Sequence, residues 1–200
     1  MNHHRFPVVT LSLALICWSA QAAGQQIKLY FSPNGGAAHA IAEEINAAKK
    51  SIFVETYSIS ESEITDALIG ASARGVPVRI IVDKHQQNDI YSSAPRLSTA
   101  GIRVVTDRVE ALHHNKVMVI DDTVTITGSM NFTNAGNKEN AENTLIIHDT
   151  TIAAAYSANW QKHNDHASTY HVVHHDDFKP KKLPPGLVPQ LLPRPRKERQ

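Results

Sequence analysis

Cysteine is almost missing from this sequence. Its single cysteine is Cys17, and none follows it in a chain of 200 residues. The body of the protein can therefore form no internal disulfide and offers no thiol chemistry, so its stability must come from its core. Compositional extremes are missing too. With 42% hydrophobic and 20% charged residues, the chain is neither collagen-like, nor a coiled coil, nor wholly disordered, and it can build one domain with a real core. Mean hydropathy is slightly negative, which excludes a multi-span membrane protein. No internal repeat is found at any length.

The two ends differ from the middle. Met1 to Arg5 is basic, Phe6 to Ser19 is apolar, and Ala20-Gln21-Ala22 sets small residues two apart. This is the pattern of a secretory signal peptide. The apolar run is too short to span a bilayer comfortably, and Ile16 before Cys17 argues against a lipoprotein site. The expectation is a signal peptide over 1–22 and an exported protein, periplasmic or secreted. Residues 23–177 carry 12 Lys+Arg against 18 Asp+Glu, whereas residues 178–200 carry 7 against 1. The second stretch is also rich in proline, and a solvated basic tail without packed structure is expected.

Between these ends, strand and helix patterns alternate. Ile27–Phe31, Ser51–Ile59, Val78–Val82 and Ile102–Val105 read as strands, with helical spacing over Ala37–Lys50 and Ser62–Arg74 and a short helix over Arg96–Ala100. Lys84–Pro95 reads as a loop. Further on, Lys116–Ile120 and Thr123–Thr127 read as a hairpin turning at Asp121-Asp122. Leu145–His148 follows as a strand and Thr151–His163 as a helix. The fold class expected is α/β, a mixed and largely parallel sheet with helices on both faces.

The chemistry concentrates between His113 and Asn143. His114 and Lys116 stand two apart at a strand start and so share a face. Ser129 and Asn131, also two apart, follow the partner strand. Pairing through the Asp121-Asp122 turn brings both pairs to one end of one hairpin. The resulting cradle suits a phosphodiester: Lys116 supplies a cation for the non-bridging oxygens, and Ser129 and Asn131 donate hydrogen bonds to them. Such a cradle can stand in for a metal ion, because phosphoryl transfer is catalysed largely by positioning and charge stabilisation. His114 is the group able to attack phosphorus, since neutral imidazole is a nucleophile near pH 7.

The spacing His114-x-Lys116-x4-Asp121-x6-Gly128-Ser129-x-Asn131 resembles the signature of the phospholipase D superfamily, and most of all its small bacterial single-motif endonucleases. The resemblance implies a phospholipase D/nuclease-like fold, a covalent phosphohistidine intermediate, and no cofactor or metal. It also implies that Glu142 lies at the active site and helps to orient a histidine. The candidate catalytic residues are thus His114, Lys116, Asp121 and Glu142, with Lys116, Ser129 and Asn131 binding phosphate. Asp121, though part of the signature, sits at the turn and reads as structural.

Larger relatives carry two copies of the motif, and this chain carries one. A nucleophile and a separate acid for the leaving oxygen are both needed. The simplest expectation is a homodimer with the active site on the two-fold axis. Nucleic acid is the expected substrate, with hydrolysis of phosphatidylcholine-type phospholipid as the alternative; a pure binding module would not need His114 beside Lys116. His113 is out of phase with Lys116 and reads as a surface or packing residue. The crowded His163, His166, His171, His174 and His175 match no metal-ligand spacing. Trp160 and Tyr156 read as core or dimer contact, and Tyr57 as packing at the edge of the site.

Overall fold

A computed structural model describes residues 26–171. The signal segment over 1–22, the basic tail over 178–200, His174 and His175 lie outside the described residues. Eight strands form one sheet in the order β1-β7-β6-β5-β2-β3-β4-β8. They are β1 Gln26–Ser32, β2 Ile52–Thr56, β3 Val78–Asp83, β4 Arg103–Asp107, β5 Lys116–Ile120, β6 Val124–Gly128, β7 Glu142–His148 and β8 Ser168–Thr169. The helices are α1 Ala37–Ala47, α2 Ser62–Ala73, α3 Ala94–Thr99, α4 Asn134–Lys138 and α5 Thr150–His166.

The sheet is mixed, but less parallel than the alternation of strands and helices suggests. Only β2–β3 and β3–β4 pair in parallel. The other five ladders are antiparallel. The reason lies in the connections. Helical crossovers join β2 to β3 and β3 to β4, whereas β5 returns directly into β6 through the three residues Asp121, Asp122 and Thr123, which permits only antiparallel pairing.

Pleating divides the core into two layers. Val54, Ile80, Val104, Met118, Ile126 and Ile146 face α1 and α2, where Ile41, Ile45, Ile64 and Leu68 meet them fully buried. The opposite face carries Ile81, Val105, Val117 and Val119, covered by Ala153 and Trp160 of α5. Trp160 stacks on Phe53 with centroids 4.7 Å apart, and its Nε1 donates to the Val54 carbonyl at 2.9 Å. Trp160 is therefore core. Asp149 caps α5, accepting from the backbone N–H groups of Thr151 and Ile152 at 2.8 and 2.9 Å.

Two details fix the β5–β6 hairpin. Asp121 and Asp122 both take positive φ, 55° and 57°, the pair of left-handed residues that a type I′ turn requires. The Asp121 carboxylate also accepts hydrogen bonds from the backbone N–H groups of Lys49, Lys50 and Ser51 at 2.7–3.2 Å. At the other end of β6, Gly128 has φ 151°, and a Cβ there would stand 2.2 Å from the Asn143 carbonyl oxygen. The close approach of β6 to β7 just before Ser129 thus demands glycine.

Burial pushes the Asp121 pKa upward, but the N–H groups of Lys50, Ser51 and Lys49 outweigh it and hold the carboxyl below its ordinary 3.8. A lowered folded-state pKa gives stability that is present above the unfolded value and lost as pH falls through the folded one. Asp121→Ala is expected to cost about 1–3 kcal/mol at neutral pH. Asp121→Asn should cost less, and the gap between wild type and either variant should narrow below about pH 4. Urea unfolding followed across pH checks this; a constant gap down to pH 2 would contradict it.

Candidate active site

The site forms where the β5–β6 hairpin opens. The paired stretch ends at Met118↔Ile126. Lys116 lies two residues before that rung and Gly128 two residues after it, so both come out at one end. Lys116 faces the α1/α2 layer along with Met118 and Ile120, and it is nearly buried at 8% exposure. Its Nζ donates to the His114 carbonyl at 2.6 Å. Burial pushes its pKa down, and the negative charge of Glu142 opposes that shift. Lys116 and Glu142 therefore feel each other across the site although they come from β5 and β7.

His114 precedes β5 and is exposed. Its ring lies 5.0 Å from that of Tyr57, and the Lys116 ammonium stands 5.5 Å from the same tyrosine centroid. Tyr57 thus contacts both motif side chains. Its own N–H donates to the Asn115 carbonyl at 2.9 Å, which ties the end of β2 to the segment carrying His114.

Ser129 and Asn131 follow β6 in a bend rather than lying on the strand. The Ser129 hydroxyl donates to Glu142 Oε2 at 2.5 Å and accepts from the Asn143 backbone N–H and side-chain amide at 3.0 and 3.2 Å. Asn140 Nδ2 donates to Glu142 Oε1 at 3.3 Å. Glu142 joins the site because β7 starts there, three residues earlier than the apolar pattern implies. No histidine of the same chain is among its hydrogen-bond partners in the described residues. Asn131 Oδ1 is buried and unpaired in those residues, and such orphaned acceptors concentrate at functional sites.

Asp121 stands apart from this group. It lies at the far end of the hairpin from Lys116, bound to the backbone N–H groups of Lys49, Lys50 and Ser51. It clamps main chain rather than another motif side chain. The residue that sequence reasoning half-missed is Tyr57: an aromatic at a strand end carries no signal separating site from packing. His113 is fully inside, on the opposite face of the sheet from Lys116. Of the five C-terminal histidines, His163 and His166 meet it there.

The exposed imidazole, the nearly buried ammonium and the hydroxyl–carboxylate pair form a constellation for handling a phosphodiester anion. Comparison with known proteins agrees. Residues 41–164 match the family described as cardiolipin synthase, PLD-like domain. A phospholipase D of Rickettsia bellii is 41% identical over 141 residues, 70% of each chain. A mitochondrial cardiolipin hydrolase of Xenopus laevis is 32% identical over 119 residues, 60% of this chain and 57% of that one. The crystal structure of Nuc from Salmonella typhimurium, a phospholipase D family member, superposes with a TM-score of 0.71 at 30% identity, covering 74% of this chain and 99% of Nuc. The chain belongs to the phospholipase D superfamily and is a phosphodiester hydrolase.

Proposed function

We propose that the protein is an exported endonuclease that cleaves DNA, and RNA by the same chemistry, through a phosphohistidine on His114 without a metal ion at the reacting phosphate. The observation that carries the reading is the pairing of an exposed imidazole, His114, with a nearly buried ammonium, Lys116, at one hairpin end. His114 attacks phosphorus, a P–N bond forms and a P–O bond breaks, and the leaving oxygen takes a proton. Water then attacks the phosphohistidine and releases the imidazole. Lys116, with Ser129 and Asn131, balances charge on the non-bridging oxygens in both steps.

The proton comes from His114 of the partner subunit in a two-fold homodimer. Supporting this, β1 exposes Ile27, Leu29 and Phe31 at 52%, 53% and 62% on the sheet face that α5 leaves uncovered. Phe31 lies opposite Asn143, whose amide touches Ser129. The apolar stripe therefore runs up to the site, and packing two copies through it would bring two single-motif sites together while removing an exposed patch from water.

An open site with His114 and Ser129 both exposed suits a long polymer that must lie across it. The basic stretch over 178–200 would add salt-dependent affinity for phosphates. A second reading keeps the same chemistry on a phospholipid whose acyl chains would rest on the exposed Ile27, Leu29 and Phe31.

Two experiments test these readings. Purified protein is incubated in excess EDTA with plasmid DNA and, separately, with phosphatidylcholine vesicles. Nicking that persists in EDTA and disappears in His114→Ala is expected; choline release without nicking would select the lipid reading, and loss of all activity in EDTA would refute the metal-free mechanism. In the second, Lys116→Ala should lower turnover by about 10²–10³-fold. Wild-type turnover should follow a bell in pH, because one imidazole must be neutral and its mate protonated. A flat profile across the range where imidazoles titrate, or near-normal turnover of Lys116→Ala, would contradict the assignment.

A further inference from the structure

The face of the sheet opposite Lys116 carries a second polar assembly that the phosphodiesterase site does not use. Three carboxylates stand at the carboxyl ends of the parallel strands, Glu55 on β2, Asp83 on β3 and Asp107 on β4, all 0–1% exposed. Glu110 follows in the next loop. The ion-pair partners of these four among the described residues are all imidazoles, and no lysine or arginine answers them.

Three histidines converge on one oxygen. His113 Nδ1, His163 Nδ1 and His166 Nε2 lie 3.0, 2.9 and 3.1 Å from Asp107 Oδ2. Glu110 Oε2 lies 3.8 Å from His163 Nδ1 and 3.7 Å from His166 Nε2. One ligand atom from each of Asp107, Glu110, His113 and His163 falls within 4.8 Å of all the others. A tetrahedral ion with ligands at about 2.0–2.2 Å sets neighbouring ligand atoms roughly 3.3–3.6 Å apart. The observed edges bracket that spacing.

Unpaired atoms point the same way. Glu110 Oε2, His113 Nε2 and Glu55 Oε2 are each buried without a hydrogen-bond partner. His113 Nε2 and Glu55 Oε2 face each other at 3.9 Å. If His113 Nδ1 ligates a metal, the ring proton must sit on Nε2 and be directed at Glu55. That is the carboxylate–histidine–metal arrangement that orients imidazole ligands. If instead Nδ1–H donates to Asp107 in a neutral ring, the bare Nε2 lone pair is buried against a carboxylate oxygen.

We propose that Asp107, Glu110, His113 and His163 bind one zinc-type divalent ion, with His166 on the Asp107–Glu110 edge. Imidazole and carboxylate without thiolate is a donor set that zinc accepts. The site joins β4, the loop after it and α5, and His113 immediately precedes the nucleophile. The ion would therefore tie β4 and the loop after it to α5 and add stability from the far face of the sheet, away from the reacting phosphate. This inference rests on ligand geometry alone and is independent of the phosphohistidine mechanism.

The full chain is stripped with EDTA and dialysed against zinc or cobalt(II), with folding checked by circular dichroism. One equivalent per chain is expected, with a tetrahedral cobalt spectrum and a rise in Tm of about 4–8 °C on adding zinc. His163→Gln and Asp107→Asn should each lose the equivalent and the Tm response. The double variant His174→Ala/His175→Ala, and separately His114→Ala, should keep both. Should Asp107→Asn fail to fold, His163→Gln, less central to the core, carries the test. Absence of stoichiometric binding to wild type would overturn the site. So would an equivalent that survives His163→Gln but disappears with His174 and His175. DNA cleavage by the stripped protein in EDTA is scored separately, so failure of the mechanism and failure of the site are distinguishable.

Discussion

The register of β5 is the constraint on which the rest depends. Consecutive residues of a strand point to opposite faces, so a slip of one residue exchanges them. Here the exchange would turn Lys116 away from Glu142 and bring His113, not His114, toward the phosphate cradle. The turn centred on Asp121-Asp122 and the three backbone N–H groups held by the Asp121 carboxylate lock that register from the far end of the hairpin. The Asp121 carboxylate thus bears on which of the two adjacent histidines stands on the Lys116 side of the sheet end, although it lies at the other end of the hairpin.

The same alternation gives the adjacent histidines opposite environments. His114 is exposed beside Tyr57 and Lys116, open to a substrate. His113 is enclosed with Asp107 and Glu55, where its pKa is pushed down by burial and partly restored by Asp107 and Glu110. Asp107 is affected by burial in the opposite sense, but the N–H of Val109 and the surrounding imidazoles overcome it and keep the carboxyl ionised well below its ordinary range. One face thus holds the Lys116 charge opposite Glu142, while the other locks charge into a network that fastens α5 to the sheet.

The meeting of Lys116 and Ser129 at one hairpin end was legible because the spacing is local: two residues set a shared face, and a short turn sets which strand ends meet. The parallel core was legible from apolar periodicity. Three features were not. The polar start of β7 at Glu142 has no alternation to reveal it, because its pairing with β1 and β6 rather than its own composition makes it a strand. Tyr57 reaches the site through a loop whose path no local pattern encodes. The Asp107–His163 assembly draws on residues 56 positions apart, and only the i, i+3 spacing of His163 and His166 on one helix face hinted at it. The opposite error, a sheet read as largely parallel, came from extending the strand–helix alternation of the first half past the point where hairpins take over.

The central claim is that the His114 imidazole carries the phosphoryl group between two half-reactions. The most direct measurement is rapid quench of the enzyme with a labelled phosphodiester at alkaline pH, followed by peptide mass spectrometry under conditions that preserve phosphohistidine. The expected result is a phosphoryl group that still carries its second ester on His114, formed and lost at rates matching turnover, and none on His113, His163 or Ser129. Turnover with no covalent label at any time point, or a label that persists in His114→Ala, would contradict it.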